Sequence, residues 1–125
     1  MRWDKEKYEA YMVKFNKDLL PYPEEEADPG PESKLQGKIV KWANDKGYPI
    51  ISFRQSKNAR GFIKKGLPDI TLALPAKRTV WIELKSDKGI LKEEQKQTAL
   101  KLMALGHEWY QVRSYKRFLD IVEDK

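Results

Sequence analysis

The residues best placed to do chemistry lie between Gly66 and Lys85. Gly66-Leu67-Pro68-Asp69 leads into an apolar run, Ile70-Thr71-Leu72-Ala73-Leu74, and Val80-Trp81-Ile82-Glu83-Leu84-Lys85 follows. If both runs are strands, alternation turns Val80, Ile82 and Leu84 to one face and Trp81, Glu83 and Lys85 to the other. Glu83 and Lys85 then stand roughly 7 Å apart along one strand. Charged groups at the end of an apolar strand are costly unless solvated or paired. Asp69 opens the preceding strand, and a short hairpin-like link between the two brings it to Glu83. Two facing carboxylates repel unless a cation lies between them. Oxygen donors without cysteine or histidine favour a hard ion, Mg²⁺, with Mn²⁺ able to substitute. Such an ion can take a phosphate oxygen, activate water and neutralise charge at phosphorus. Lys85 would orient the attacking water, deprotonate it or stabilise the pentacovalent state, and the sequence leaves these roles open.

The rest of the chain must position these groups. Tyr8, Tyr11, Met12, Phe15 and Leu19 share one stripe and predict an amphipathic helix over residues 3–20. Residues 21–31, acidic and proline-rich, predict an irregular linker. A second helix is expected from Pro31 through Glu32, Leu35, Ile39, Val40 and Trp42 to Gly47. Strands are expected over residues 49–53, 70–74, 79–85 and 108–112. A helix over about 92–105 falls between the last two, with Gly106 as its left-handed cap. Ser114 is the expected N-cap of a final helix whose buried stripe holds Phe118, Leu119 and Val122. A helix between the third and fourth strands implies a parallel pair, and the shorter links before it imply antiparallel pairing. The fold class is therefore α/β, a mixed four-stranded sheet flanked by helices, with an extra N-terminal helix. Residues 1–30 form an appendage and 31–125 the core domain.

Composition narrows the partners. The chain has 125 residues, 35% of them charged, and a net charge of +6. Residues 1–30 carry five basic and eight acidic side chains, so the basic excess belongs to the rest. A basic body points to a polyanion, nucleic acid first. No apolar run is long enough for a membrane span. An N-terminus without an apolar signal core, and a chain without cysteine, fit a cytoplasmic protein. Residues 54–65 hold Arg54, Lys57, Arg60, Lys64 and Lys65 and no acid, immediately before Asp69. They are the expected contacts for backbone phosphates, widened by Lys88, Lys92 and Lys96. Phe62 is available for packing or base stacking. His107, after a helix-ending glycine, reads as structural, and Trp42, Trp81 and Trp109 read as core or subunit-contact residues.

Gly66-Leu67-Pro68-Asp69 followed by Trp81-Ile82-Glu83-Leu84-Lys85 resembles the PD-(D/E)XK nuclease superfamily. Downstream, Gly89-Ile90-Leu91, Gln95 and Leu102-X-X-Leu105-Gly106 make residues 31–122 resemble its VRR-NUC (virus-type replication-repair nuclease) family, in the stand-alone phage or prophage form. The resemblance implies a restriction-endonuclease-like core. It implies Asp69 and Glu83 as metal ligands, joined by Glu32 of the first core helix, with Lys85 as the catalytic lysine. It adds Gln95 beside the metal site and the substrate phosphate. Lys92 departs from the Ser or Thr frequent at that position, so the helix cap is expected from another group.

The resulting expectation is a Mg²⁺-dependent endodeoxyribonuclease acting on branched DNA such as four-way junctions. Symmetric cutting of such a substrate needs two sites, hence a homodimer, with residues 1–30 as a candidate arm. The rival readings are a DNA-binding module without turnover and a flap or restriction-type nuclease.

Overall fold

The computed structural model describes residues 26–52, 66–87 and 89–123. The expected helix over 3–20, most of the acidic linker, the basic segment with Arg54, Lys57, Arg60, Phe62, Lys64 and Lys65, and Lys88 lie outside the described residues. The elements run α1 (Glu32–Lys46), β1 (Ile50–Ser52), β2 (Ile70–Leu74), β3 (Arg78–Leu84), α2 (Glu93–Ala104), β4 (Glu108–Val112) and α3 (Tyr115–Val122). The four strands form one sheet in the order β1-β2-β3-β4. β1–β2 and β2–β3 pair antiparallel, and β3–β4 pair parallel, as the link lengths predicted.

Both faces of the sheet are covered, which is why its strands read as nearly continuous apolar runs. On one face Ile70, Leu72, Val80, Ile82, Leu84 and Val112 pack with Leu35, Ile39 and Ala43 of α1 and Phe118 and Ile121 of α3. On the other, Trp109 and Trp81 pack with Ala99, Leu100, Leu102 and Met103 of α2 and with Leu91. β3 thus contributes to two cores at once: its even-numbered apolar residues face α1 and its tryptophan faces α2. Ile51 of the edge strand is 55% exposed. The final helix buries Phe118 and Ile121 most deeply, with Leu119 and Val122 at the margin.

The helix ends are set by local chemistry. Ser114 Oγ accepts from Arg117 N–H at 3.1 Å, the expected N-cap of α3. α1 and α2 each end on a left-handed glycine, Gly47 (φ 79°) and Gly106 (φ 91°). In both, the next residue's N–H reaches back into the helix, Tyr48 to Ala43 O and His107 to Leu102 O, each at 2.9 Å. That arrangement satisfies carbonyls the helix would otherwise leave open. His107 is therefore part of a helix terminus.

The β2–β3 hairpin turns on two residues that are not glycine. Ala76 and Lys77 have φ of 61° and 65°, the pattern of a type I′ turn, which favours Asn-Gly. Each non-glycine residue there carries about 1 kcal/mol of steric cost. Replacing the pair by Asn and Gly is expected to stabilise the protein by about 1–2 kcal/mol. The check is a higher urea midpoint with an unchanged slope.

Candidate active site

Four elements converge at one end of the sheet: the start of β2, the end of β3, and the first turns of α1 and α2. The pairing Ile70–Ile82, continued by one residue, sets Asp69 across from Glu83 on the α2 face. Asp69 is fixed there because its Oδ2 accepts from Leu84 N–H at 2.8 Å, a backbone donor just past the last ladder pair. Pro68, fully buried, holds the chain before it.

Gly66 explains how the turn reaches this position. Its φ is 91°, and a Cβ there would lie 2.7 Å from the carbonyl oxygen of Glu94, in the first turn of α2. The loop before Asp69 is therefore seated directly on the backbone of the helix that carries Gln95. Only glycine permits both the conformation and the approach.

Glu83 is 2% exposed, at a depth where a carboxylate needs compensation. Its Oε1 has no hydrogen-bond partner among the described residues. Burial, then the adjacent Asp69 carboxyl and the Glu32 charge, push the Glu83 carboxyl up to about 9, with Lys85 pulling the other way. Glu83, buried and in contact with a second carboxyl, therefore keeps its proton at neutral pH.

Lys85 and Gln95 form a second unit. Lys85 Nζ donates to Gln95 Oε1 at 3.0 Å, and the same oxygen accepts from Lys92 N–H at 2.8 Å. The helix cap predicted to come from a group other than Lys92 is thus the side chain of Gln95. An ammonium has no lone pair with which to return the bond, so only half of a capping box forms. One amide oxygen both starts α2 and positions the lysine. Gly89 packs against the lysine stem, where an added Cβ would meet Lys85 Cδ at 3.2 Å.

Glu32 sits on α1, and its Oε1 accepts from Ser86 N–H at 3.0 Å. Its charge reaches Glu83, but among the described residues no three Asp, Glu, His or Cys side chains group closely enough to hold one ion. The three-carboxylate set expected from the sequence therefore resolves into the Asp69–Glu83 pair with Glu32 beside it, tied to the loop after β3. Lys92 is exposed next to the site.

The pair suits a hard divalent cation. Its donors are all oxygens, one buried carboxylate oxygen is without a partner among the described residues, and the raised proton affinity of Glu83 against Asp69 is one that a cation would relieve. Mg²⁺ commonly takes one or two carboxylates and keeps its remaining waters, so two suffice.

Three supporting residues escaped the sequence reading. Gln111, 6% exposed, stands in register beside Glu83 on β4, and its amide oxygen faces Arg113 at 2.9 and 3.2 Å. Arg113 also donates to the carbonyls of Ser86, Asp87 (3.3 Å) and Gly89 (2.6 Å), fastening the loop that follows Lys85. Gln36, 5% exposed, donates through Nε2 to Ser52 Oγ. A glutamine inside an otherwise apolar stripe or strand was the available signal for Gln36 and Gln111. Arg113 gave none, because its partners are carbonyls.

Comparison of the whole fold decides its class. One solved structure, described as "VRR_NUC domain", superposes with TM-score 0.58 at 18% identity, covering 74% of this chain and 94% of its own. A second, "VRR_NUC domain protein", gives 0.60 at 19%, covering 77% and 88%. The fold is that of a VRR_NUC domain. No family model matches the sequence, and no curated protein does. At this identity the VRR_NUC likeness is one of architecture. It is the local geometry that bears on chemistry: Asp69, Glu83, Lys85 and Gln95 meet at one end of a VRR_NUC-type sheet. No helix among the described residues is long and apolar enough to cross a membrane.

Proposed function

We propose that this protein is a metal-dependent endodeoxyribonuclease, selective for branched DNA such as four-way junctions. The observation that carries the reading is the contact of Asp69 with the buried Glu83 beside a lysine held by Gln95, on a VRR_NUC fold. Water adds to phosphorus, the bond to the leaving deoxyribose oxygen breaks, and the products are a phosphate monoester and an alcohol. Asp69 and Glu83 would hold Mg²⁺ or Mn²⁺, which supplies Lewis-acid charge neutralisation at the phosphate. Lys85 brings a positive charge to the same face, where it orients the attacking water and offsets charge building on the phosphate oxygens. Gln95 keeps the ammonium pointed at the pair. Glu32 fixes Ser86, and with it the backbone that follows Lys85. Arg54, Lys57, Arg60, Lys64, Lys65, Lys88 and Lys92 supply the flanking phosphate contacts. A two-fold homodimer would place two such sites on opposing strands of a junction.

The test is cleavage of duplex, flap and four-way junction DNA in Mg²⁺ and Mn²⁺. Wild type is expected to cut the junction, and Lys85→Ala to lose at least about 10³-fold in rate. Equal cutting by both would refute the catalytic assignment. Tight binding by both with no cutting would favour a DNA-binding module instead.

Gln95→Ala is expected to act twice. Loss of the cap should cost about 1 kcal/mol of stability. Release of Lys85 should lower the single-turnover rate by about 10–100-fold. Denaturation and rapid-quench cleavage read the two effects separately.

A further inference from the structure

Beside the catalytic group lies a small cleft of about 70 Å³, large enough for a phosphate group. It is bounded by Lys34 and Lys38 of α1, by Lys85 and Arg113, and by Asp28 and Glu32. The two acids are engaged in structural bonds. Asp28 Oδ2 accepts from Tyr115 N–H at 2.8 Å, and Glu32 Oε1 accepts from Ser86 N–H. Asp28 N–H also donates to Arg113 O at 3.0 Å, so residues 28–31 are pinned as one wall of the cleft. Four cations against two acids leave the cleft electropositive. It shares Lys85 and Glu32 with the candidate active site and so borders it.

The adjoining surface has the opposite sign. Across Ser86 a wider depression is lined, among the described residues, by Glu26, Asp28 and Asp87 and by no basic side chain. A polyanion leaving the site meets repulsion there and attraction toward Lys34 and Lys38. The charge pattern thus gives the strand a direction as well as a contact.

We propose that this cleft binds the backbone phosphate next to the scissile one, with Lys34 and Lys38 as its ligands and the acidic wall excluding the other path. The proposal rests on the nuclease reading for the word "scissile" and adds two residues outside the basic segment already assigned. It concerns affinity and strand path; the bond-breaking groups are unchanged.

The experiment is fluorescence-anisotropy binding of a labelled junction to the full chain, in Ca²⁺ to suppress turnover, across a salt series. It compares Lys34→Ala/Lys38→Ala with Lys41→Ala/Lys46→Ala, which removes equal charge from exposed positions further along the same helix. The cleft pair is expected to weaken binding about 10–50-fold and to flatten the log–log salt slope by about 2. The control pair should change affinity by less than about threefold. Junctions carrying single methylphosphonates provide the second readout. One neutralised phosphate next to the cut should weaken wild type and leave the Lys34→Ala/Lys38→Ala protein indifferent. Equal losses for both pairs, or a variant still sensitive to that phosphate, would overturn the cleft. If wild type binds but never cuts in Mg²⁺, the nuclease reading fails, while the pairwise comparison still decides whether the cleft takes a phosphate. If wild type binds no DNA, both fail.

Discussion

Glu83→Gln is expected to abolish cleavage and to make the metal-free protein more stable at pH 8. The two effects share one cause. Glu83 is buried against Asp69, and its carboxyl is held up at about 9 against an ordinary 4.5. Between those values the folded state binds a proton that the unfolded chain has released. Stability therefore falls as pH rises through that window, and the fall is complete above the folded value. Glutamine has nearly the same shape, carries no titrating proton and can donate to Asp69. Its advantage over wild type should be absent below about pH 4.5, grow as pH rises, and reach on the order of 2–4 kcal/mol at pH 8. Cleavage should fall by at least about 10³-fold, because the amide cannot take the place of an anionic oxygen donor. Mg²⁺ should raise the melting temperature of wild type and leave the variant unmoved. Thermal melts in chelator and in Mg²⁺, from pH 5 to 9, test each part. A stability gain that does not vary with pH would mean that the proton affinity of Glu83 has been misread.

Gly66→Ala is the other large expected effect, and it acts through the backbone. The substitution meets two costs. The positive φ costs an alanine about 1 kcal/mol or more. The added Cβ would also sit 2.7 Å from Glu94 O, a backbone atom that cannot rotate away. Either the turn or the start of α2 must shift, and overpacking of this kind costs about 1–3 kcal/mol more. The sum is on the order of 3 kcal/mol, a fall in melting temperature of about 10 °C. Gly47→Ala isolates the first cost, since Gly47 has a similar φ and nothing within 4 Å of its Cβ position. It should lose only about 1 kcal/mol. Cleavage should separate the two variants further. The Gly66 turn carries Asp69, and the helix it presses carries Gln95, so displacement misaligns both halves of the site. Similar losses in the two glycine variants would show that the close approach to Glu94 carries no energetic weight.

These expectations differ in how far the sequence alone supports them. That Glu83 and Lys85 share a face was legible because strand alternation is a local rule: two residues apart means one face, whatever the rest of the chain does. The helix ends at Gly47, Gly106 and Ser114 were legible because capping uses residues within a few positions of each other. The mixed sheet followed from link lengths. Other features belong to tertiary structure. Gly66 reads as a turn glycine, but its packing on Glu94 joins positions that only folding brings together. The double duty of Gln95 needs Lys85 to come within 3.0 Å of it. Gln111 stands beside Glu83 only because β3 and β4 pair in parallel in one particular register. Glu32 could be placed on α1 from the sequence, yet its bond to Ser86, 54 residues away, set it beside the acid pair instead of within a three-carboxylate cage. The physical reason is the range of the forces. Periodicity and capping act over one or two turns of chain, so composition and spacing record them. Burial, register and close backbone approach are set by segments remote in sequence. The residue types suited to the chemistry were therefore determined by the sequence, while the depth, proton affinity and partners that make them a candidate site were decided by the fold.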